Sequence, residues 1–445
     1  MEFNNSDEYN PYNKEEKLKK KNNIYKKNLK EENYSVGSRE SKRTLSIVER
    51  IDNIQNLLNK SKLNKLNPLK NMDVDIETDF FEGITQNIDN KSKDARVILG
   101  KQDQDFYAVL KKLNCRLEYK KSGAYGNTFK GTIYDKNGNE ESYFCFKVVA
   151  YSKGHGKVND ICRPENAEIN MLRLLSYFVI KKFTRHIVLP IGIFNTPIKP
   201  FVEDVDALGG AAENEKYKEF VQNYKKGYYH SKASVIMCEW ASHGDLSYFL
   251  RKHYENLGLL HWKCLFFQII STLATIQNKY PSFRHNDLKA NNILISKITE
   301  SFNNRGSSVV SLYNIEGTSY YVPDIGYCTY IWDFDFACIP GVVENNKIYQ
   351  DWTQKMNITS KQNRYYDLHY FFCTLVYKGF LPELFKSNNV PIEVKEFIKY
   401  VIPKQYRPVK ENKNVNKKCR LQVDDEYIIP IDLLEHNFFD VFKEK

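Results

Sequence analysis

Residues 283–295 read Phe-Arg-His-Asn-Asp-Leu-Lys-Ala-Asn-Asn-Ile-Leu-Ile, and this stretch decides the fold. The apolar run before it, His261 to Tyr280, has helical spacing, whereas Asn291-Asn-Ile-Leu-Ile is strand-like. Between the two lies a polar loop with a carboxylate at Asp287, an ammonium at Lys289 and a carboxamide at Asn292. A helix-to-strand turn rich in polar caps is the plain account of such a loop. A second acidic stretch, Ile331-Trp332-Asp333-Phe334-Asp335-Phe336-Ala337, ends another strand-like run.

The segment His285-Asn286-Asp287-Leu288-Lys289-Ala290-Asn291-Asn292 resembles the protein-kinase catalytic loop HRDLKxxN, matching at all but Asn286 and two variable positions. A turn of polar caps does not require that order. The resemblance implies phosphoryl transfer: Asp287 orients the attacking hydroxyl and accepts its proton, Lys289 neutralises the transferred group, and Asn292 ligates a magnesium ion. Asp333-Phe334-Asp335 takes the place of DFG and makes Asp333 the other metal ligand. The register Asp335-Phe336-Ala337 is the alternative, disfavoured by the apolar run before Asp333. Asp335 stands where glycine is usual, so the site is expected to switch less readily.

Upstream, Lys121-Ser-Gly-Ala-Tyr-Gly-Asn resembles a glycine-rich loop that keeps Gly123 and Gly126, with Lys121 at the first glycine position. Glycine lets backbone N–H groups approach phosphate oxygens. Alone, two glycines mark any hairpin. They are followed by Phe144-Cys-Phe-Lys147, similar to VAIK, so Lys147 is expected to reach the nucleotide phosphates. Its partner is Glu168, at the head of the helical run Glu-Ile-Asn-Met-Leu-Arg-Leu-Leu, with Glu165 as the alternate. Cys238-Glu239-Trp240-Ala241 resembles a hinge whose backbone at Glu239 and Ala241 would bond adenine. Tyr366-Asp367-Leu368-His369 resembles the helix start whose aspartate braces the catalytic loop, with His369 replacing the usual tryptophan.

The texture around these motifs gives a β-rich lobe followed by a mainly helical one, and the resemblance implies an α+β, bilobal protein-kinase-like fold. Residues 101–241 form a small β-rich N-lobe with one helix, interrupted by an insertion over about 196–230. Residues 242–445 form a mainly helical C-lobe with an insertion over about 298–328. Residues 1–100 precede them as a Lys/Asn-rich tail, largely disordered to about 42 because it has too few aliphatics to offset the entropy of ordering. Within it, Ile47, Ile51, Ile54 and Leu58 share one helical face over about 44–60, with Glu49, Arg50 and Asp52 elsewhere. Residues 61–100 read as linker.

Composition narrows the rest. The chain has 445 residues and a formal charge of +11, but its lysines are diluted by Asn, Asp and Glu, so nucleic acid is not the expected partner. Nine cysteines without a CxxC pair argue against a disulfide framework or a zinc module. No apolar leader opens the chain and no span reads as transmembrane, so a cytoplasmic, non-secreted protein is expected. Membrane association through the basic tail is compatible with this, and the oligomeric state is left open.

Phe-Arg-His-Asn-Asp-Leu-Lys-Ala-Asn-Asn-Ile-Leu-Ile, Trp-Asp-Phe-Asp-Phe-Ala-Cys-Ile-Pro-Gly-Val-Val and Arg-Tyr-Tyr-Asp-Leu-His-Tyr-Phe-Phe-Cys-Thr-Leu-Val-Tyr-Lys are similar to the poxvirus serine/threonine kinase family and its relatives in other large DNA viruses. That resemblance implies ATP with Mg²⁺ or Mn²⁺, transfer of the γ-phosphate to serine or threonine of viral and host proteins, and a place in host cytoplasm or virion. Two rival readings accompany it. A choline- or aminoglycoside-type kinase shares the His-Asn-Asp loop but not Lys289, and a pseudokinase would account for the departures at Lys121, Asn286 and Asp335. Asn286 replaces an arginine that in many kinases pairs with a phosphate on the activation segment, so activity is expected not to need that phosphate.

Overall fold

The computed structural model describes residues 46–69, 94–123, 126–204, 208–297, 310–377, 379–410 and 412–443. The first element, helix α1 (Ile47–Lys60), opens on a reciprocal cap: Ser46 Oγ accepts from Glu49 N while the Glu49 carboxylate accepts from Ser46 N. Ile54 and Leu58 are buried, so α1 docks on the body of the protein. Arg50, expected off the apolar face, is buried with them. The spacing explains it, since positions 50, 54 and 58 recur every four residues and share one face.

The described parts of 61–100 are not a free linker. Leu63 and Leu66 are buried, and Leu66 packs over Gly192 of the sheet; Ala95 and Leu99 are buried as well. The leucines give this otherwise polar stretch enough apolar surface to hold it against the lobe. The tail over 1–42 and the linker residues 70–93 lie outside the described residues.

The N-lobe is one six-stranded sheet. Its strands are β1 (Gln102–Asp103), β2 (Cys115–Ser122), β3 (Asn127–Tyr134), β4 (Glu140–Ser152), β5 (Pro190–Pro197) and β6 (Tyr229–Glu239). Their order is β1-β5-β6-β4-β3-β2, antiparallel except for the β1–β5 pair. Helix α2 (Phe106–Leu113) covers one face, where Phe106 meets Phe146 at 5.9 Å and Phe201 at 4.6 Å between ring centroids. Phe144 and Phe146 alternate with Cys145 and Lys147, so burying the aromatic pair sends Lys147 to the other face. On that side runs helix α3 (Pro164–Ile180), begun by proline and buried along almost its whole length.

The insertion over 196–230 belongs to the lobe. It contributes the end of β5, the start of β6 and helix α4 (Glu215–Lys225), capped by Asn214. Tyr217 of α4 is fully buried, with its ring edge-on to Tyr119 and Phe129 of the β2–β3 hairpin and its hydroxyl on Phe201 O. Gly209 reaches the free edge of β2, where its carbonyl accepts from Tyr119 N at 3.1 Å. A Cβ at Gly209 would stand 2.7 Å from Leu117 O, and its φ is +58°, so only glycine suits this edge contact.

The C-lobe is built on α5 (Leu246–His253) and the apolar helix α6 (Leu259–Lys279). By length and composition α6 could cross a membrane, but its apolar residues fill the lobe core. Strands β7 (Ile293–Lys297) and β10 (Tyr327–Ile331) pair antiparallel, with Ile293 opposite Ile331. Between them, residues 298–309 lie outside the described residues, and the rest of the expected insertion forms the hairpin β8 (Val310–Ile315) and β9 (Thr318–Pro323). Tyr313 and Tyr320 of this hairpin pack on Phe267 of α6 at 5.2 and 5.1 Å. Helices α7 (Tyr366–Tyr377) and α8 (Ile392–Val401) complete the lobe, and Phe438, Phe439 and Phe442 close it from the C-terminal side.

Candidate active site

Four elements of the two lobes converge on Lys147. Its ammonium donates to Glu168 of α3 at 2.5 Å and to Asp333, just past β10, at 2.6 Å. Two carboxylates therefore share one cation, Glu168 buried with it and Asp333 half-buried. Burial pushes both carboxyls up, but the charge and hydrogen bond of Lys147 outweigh it at Asp333 and hold that group at about 2. Glu168, more deeply buried and repelled by Asp333, is pushed up to about 7 despite Lys147. Lys147 itself is raised, since the two acids overcome the cost of its own burial. The alternate partner, Glu165, is engaged elsewhere, by the Arg163 guanidinium at 2.8 Å.

The loop carrying Asp287 is braced from below. The carboxylate of Asp367, fully buried at the start of α7, accepts from His285 N at 2.7 Å and Asn286 N at 2.9 Å. His285 Nε2 lies 3.1 Å from Trp332 O, and Trp332 N donates to Asn292 O at 3.1 Å, so the two acidic stretches are tied together. Asn292 Nδ2 donates to Asp287 O and Asp287 Oδ2, which leaves the amide oxygen as its remaining polar group. Lys289 donates to Asp287 Oδ2 at 2.6 Å. Asp287, Lys289 and Asn292 thus form one cluster, with Asp333 adjoining it through Trp332.

The two aspartates of this stretch have different partners. Asp335 pairs with the buried Lys347, not with Lys147, and that pair replaces the missing glycine with a fixed charge contact. Asp333 has a φ of 67°, a left-handed conformation that turns its side chain toward Lys147. Asn286, also left-handed at 63°, donates from Nδ2 to Phe336 O and Thr359 O at 3.1 Å. It links the catalytic-type loop to the segment after Asp333 without any charge.

Of the glycines, Gly123 N donates to Gly126 O at 2.8 Å and closes the β2–β3 turn. A Cβ on Gly126 would meet Val149 Cγ2 at 3.0 Å and Val148 O at 3.3 Å, and would lie 3.5 Å from Lys147 Cε. Gly126 therefore lies against the backbone around Lys147, and a side chain there would crowd it. Glu239, at the end of β6, is tied to its neighbours by backbone and side chain. Its N–H donates to Leu189 O, and its side chain accepts from Arg50 and from Leu189 N, which fixes the back of the segment leading to Ala241. Arg50, Lys347 and Arg420, which donates to Asp287 Oδ1 at 2.7 Å, are the residues that motif reading missed. Only Arg50 carried a signal, in its spacing with Ile54 and Leu58.

The donor set fits a magnesium nucleotide. Among the described residues no three His, Cys, Asp or Glu side chains converge as a metal cage. Asn292 and Asp333 offer two oxygen ligands, the number magnesium takes from protein when phosphates supply the others. The Lys147 ammonium suits the anionic phosphates.

A family model described as poxvirus serine/threonine protein kinase matches residues 107–443. A protein of Acanthamoeba polyphaga mimivirus provisionally named a serine/threonine-protein kinase is 40% identical over 333 residues, covering 74% of this chain and 70% of its own. A second mimivirus protein with the same provisional description is 38% identical over 108 residues, 23% of this chain and 26% of its own. The protein belongs to the poxvirus serine/threonine protein kinase family.

Proposed function

We propose that this chain is an ATP-dependent kinase that transfers the γ-phosphate to serine or threonine hydroxyls of proteins. The carrying observation is Lys147 held between Glu168 and Asp333, together with the Asp287 carboxylate fixed by Lys289 and Asn292. When bound, ATP supplies the phosphoryl group and Mg²⁺, or Mn²⁺ in its place, withdraws charge from its oxygens. Asn292 and Asp333 would hold the metal. Lys147, exchanging Asp333 for phosphate oxygens while keeping Glu168, would orient the α- and β-phosphates. Gly123 and Gly126 would cover them, and the backbone near Glu239 and Ala241 would receive the adenine.

Asp287 does the proton work in this reading. Its carboxylate would orient the incoming hydroxyl and take up its proton as the new P–O bond forms and the bond from the γ-phosphorus to the β,γ-bridging oxygen breaks, releasing ADP, while Lys289 steadies the charge on the moving group. Protein substrates, the host cytoplasm and virion as location, and a tethering role for the basic tail belong to the same proposal.

The test is transfer from labelled ATP with Mg²⁺ to a mixed protein substrate, beside a panel of choline and aminoglycosides, for wild type, Asp287→Ala and Asp333→Ala. Label on protein Ser/Thr that both variants lose supports the proposal. Label on a small molecule, or nucleotide binding without any transfer, overturns it.

A further inference from the structure

Asp287 is held from a direction that its own loop does not supply. Arg420, from the C-terminal segment and 133 positions away, donates through Nη2 to Asp287 Oδ1 at 2.7 Å and through Nη1 to Asn286 O. Nη1 also reaches the Tyr366 hydroxyl at 3.2 Å, and the guanidinium lies over the Tyr370 ring at 4.0 Å. The side chain is only 7% exposed. A buried guanidinium is costly to desolvate unless its donors find acceptors in the right geometry, and here a carbonyl, a carboxylate and a phenol each accept from it.

The backbone that presents Arg420 is equally fixed. Residues Val415 and Leu421 form an antiparallel bridge, and Asn416 closes the turn by accepting from Arg420 N through Oδ1 and donating its own N–H to Arg420 O, each at 3.0 Å. Cys419 takes the left-handed φ of 61° that the turn needs. Leu421 O accepts from Asn357 Nδ2 at 2.7 Å, which anchors the turn to the segment beyond Asp333.

Counting acceptor sites shows what this arrangement does. An ionised carboxylate has about four lone-pair positions, two on each oxygen. Oδ2 of Asp287 uses both, on Lys289 Nζ and Asn292 Nδ2, whereas Oδ1 uses one, on Arg420. One acceptor position remains, on Oδ1, and Arg420 determines its direction.

We propose that Arg420 is a positioning residue: it clamps the Asp287 carboxylate so that the remaining Oδ1 lone pair faces the substrate hydroxyl. This rests on the phosphoryl-transfer reading above. A planar, bidentate guanidinium can span Asn286 O and Asp287 Oδ1 together, and a lysine cannot.

The experiment compares wild type, Arg420→Ala, Arg420→Lys and Asp287→Ala, with kcat, ATP affinity by direct titration, and thermal unfolding measured for each. Arg420→Ala is expected to lower kcat about 100-fold, the scale of a misplaced catalytic group, with ATP affinity unchanged, because Lys147, Glu168 and Asp333 are untouched. Added guanidinium ion at millimolar concentration should restore part of the rate, and the same concentration of sodium should not. If Arg420→Ala does not fold, Arg420→Lys decides: kcat below wild type at equal ATP affinity is expected, and wild-type kcat overturns the assignment. A parallel loss of ATP affinity and kcat also overturns it, since a merely structural residue would act that way. An active wild type with Asp287→Ala dead and Arg420→Ala unimpaired removes the Arg420 role alone, whereas a wild type that phosphorylates nothing removes the kinase reading with it.

Discussion

Arg50 and Glu239 are joined by two guanidinium–carboxylate hydrogen bonds of 2.8 and 2.7 Å across 189 residues of chain. Arg50 also donates to Arg185 O and Ile187 O and lies over the Tyr330 ring, so one side chain of α1 binds both the end of β6 and the approach to β5. Breaking a buried pair by removing one partner costs about 3 kcal/mol, and the 25% exposure of the Glu239 side chain places this pair at or below that figure. Arg50→Ala should therefore lower unfolding free energy by about 2 kcal/mol in a urea titration. A change below about 0.5 kcal/mol, the size of an ordinary surface substitution, would show that α1 is not held by this contact.

Lys147→Met should damage the resting protein as well as activity. It leaves the buried Glu168 facing the half-buried Asp333 without their shared cation. The double variant Lys147→Met/Asp333→Asn should be more stable than Lys147→Met, because one of the two repelling charges is gone. Chemical denaturation of the four members of the cycle measures it, and strict additivity would refute the shared-cation account.

Asp335→Gly, which restores the residue usual at that position, is expected to destabilise this protein. Lys347 is buried to 1% exposure and would lose its carboxylate partner. The loss should be about 3 kcal/mol, and Asp335→Gly/Lys347→Met should recover most of it in the same unfolding assay. If the single variant is neutral, the pair contributes nothing to holding the segment.

Phosphatase treatment should leave most of the transfer activity in place. Asn286 makes its two carbonyl contacts as a neutral amide, so no phosphate is needed to balance a buried cation at that position. Near-complete loss of activity after dephosphorylation, checked by mass spectrometry, would contradict this.

Two buried histidines give the stability a defined pH dependence. Burial holds His186 and His369 down at about 3, against 6.5 when exposed, with Arg185 adding to the effect at His186. Between those values the unfolded chain binds protons at these two histidines that the folded chain does not, so their contribution to stability falls as pH drops from 6.5 toward 3. At pH 5 each group should cost about 2 kcal/mol. His369→Gln should flatten the dependence by that amount between pH 7 and pH 5. An unchanged slope would mean that His369 takes up its proton without unfolding.

The sequence by itself determined the order of lobes and the local clusters. Asp287, Lys289 and Asn292 lie within six positions, and a short loop between helix and strand leaves their side chains little choice but to meet. Alternation along Phe144-Cys145-Phe146-Lys147 sent the lysine inward for the same local reason. Tertiary structure decided everything that depended on distant chain segments. Whether Glu165 or Glu168 took Lys147, whether Asp333 or Asp335 met it, and what became of the two insertions rested on which elements packed together. Arg420 is the extreme case: it follows a Lys/Asn-rich stretch, and only a turn anchored by Asn416 and Asn357 brings it to Asp287. A charge pair closed over 133 residues leaves no periodicity or spacing in the sequence, because hydrogen bonds are short-ranged in space and indifferent to chain separation.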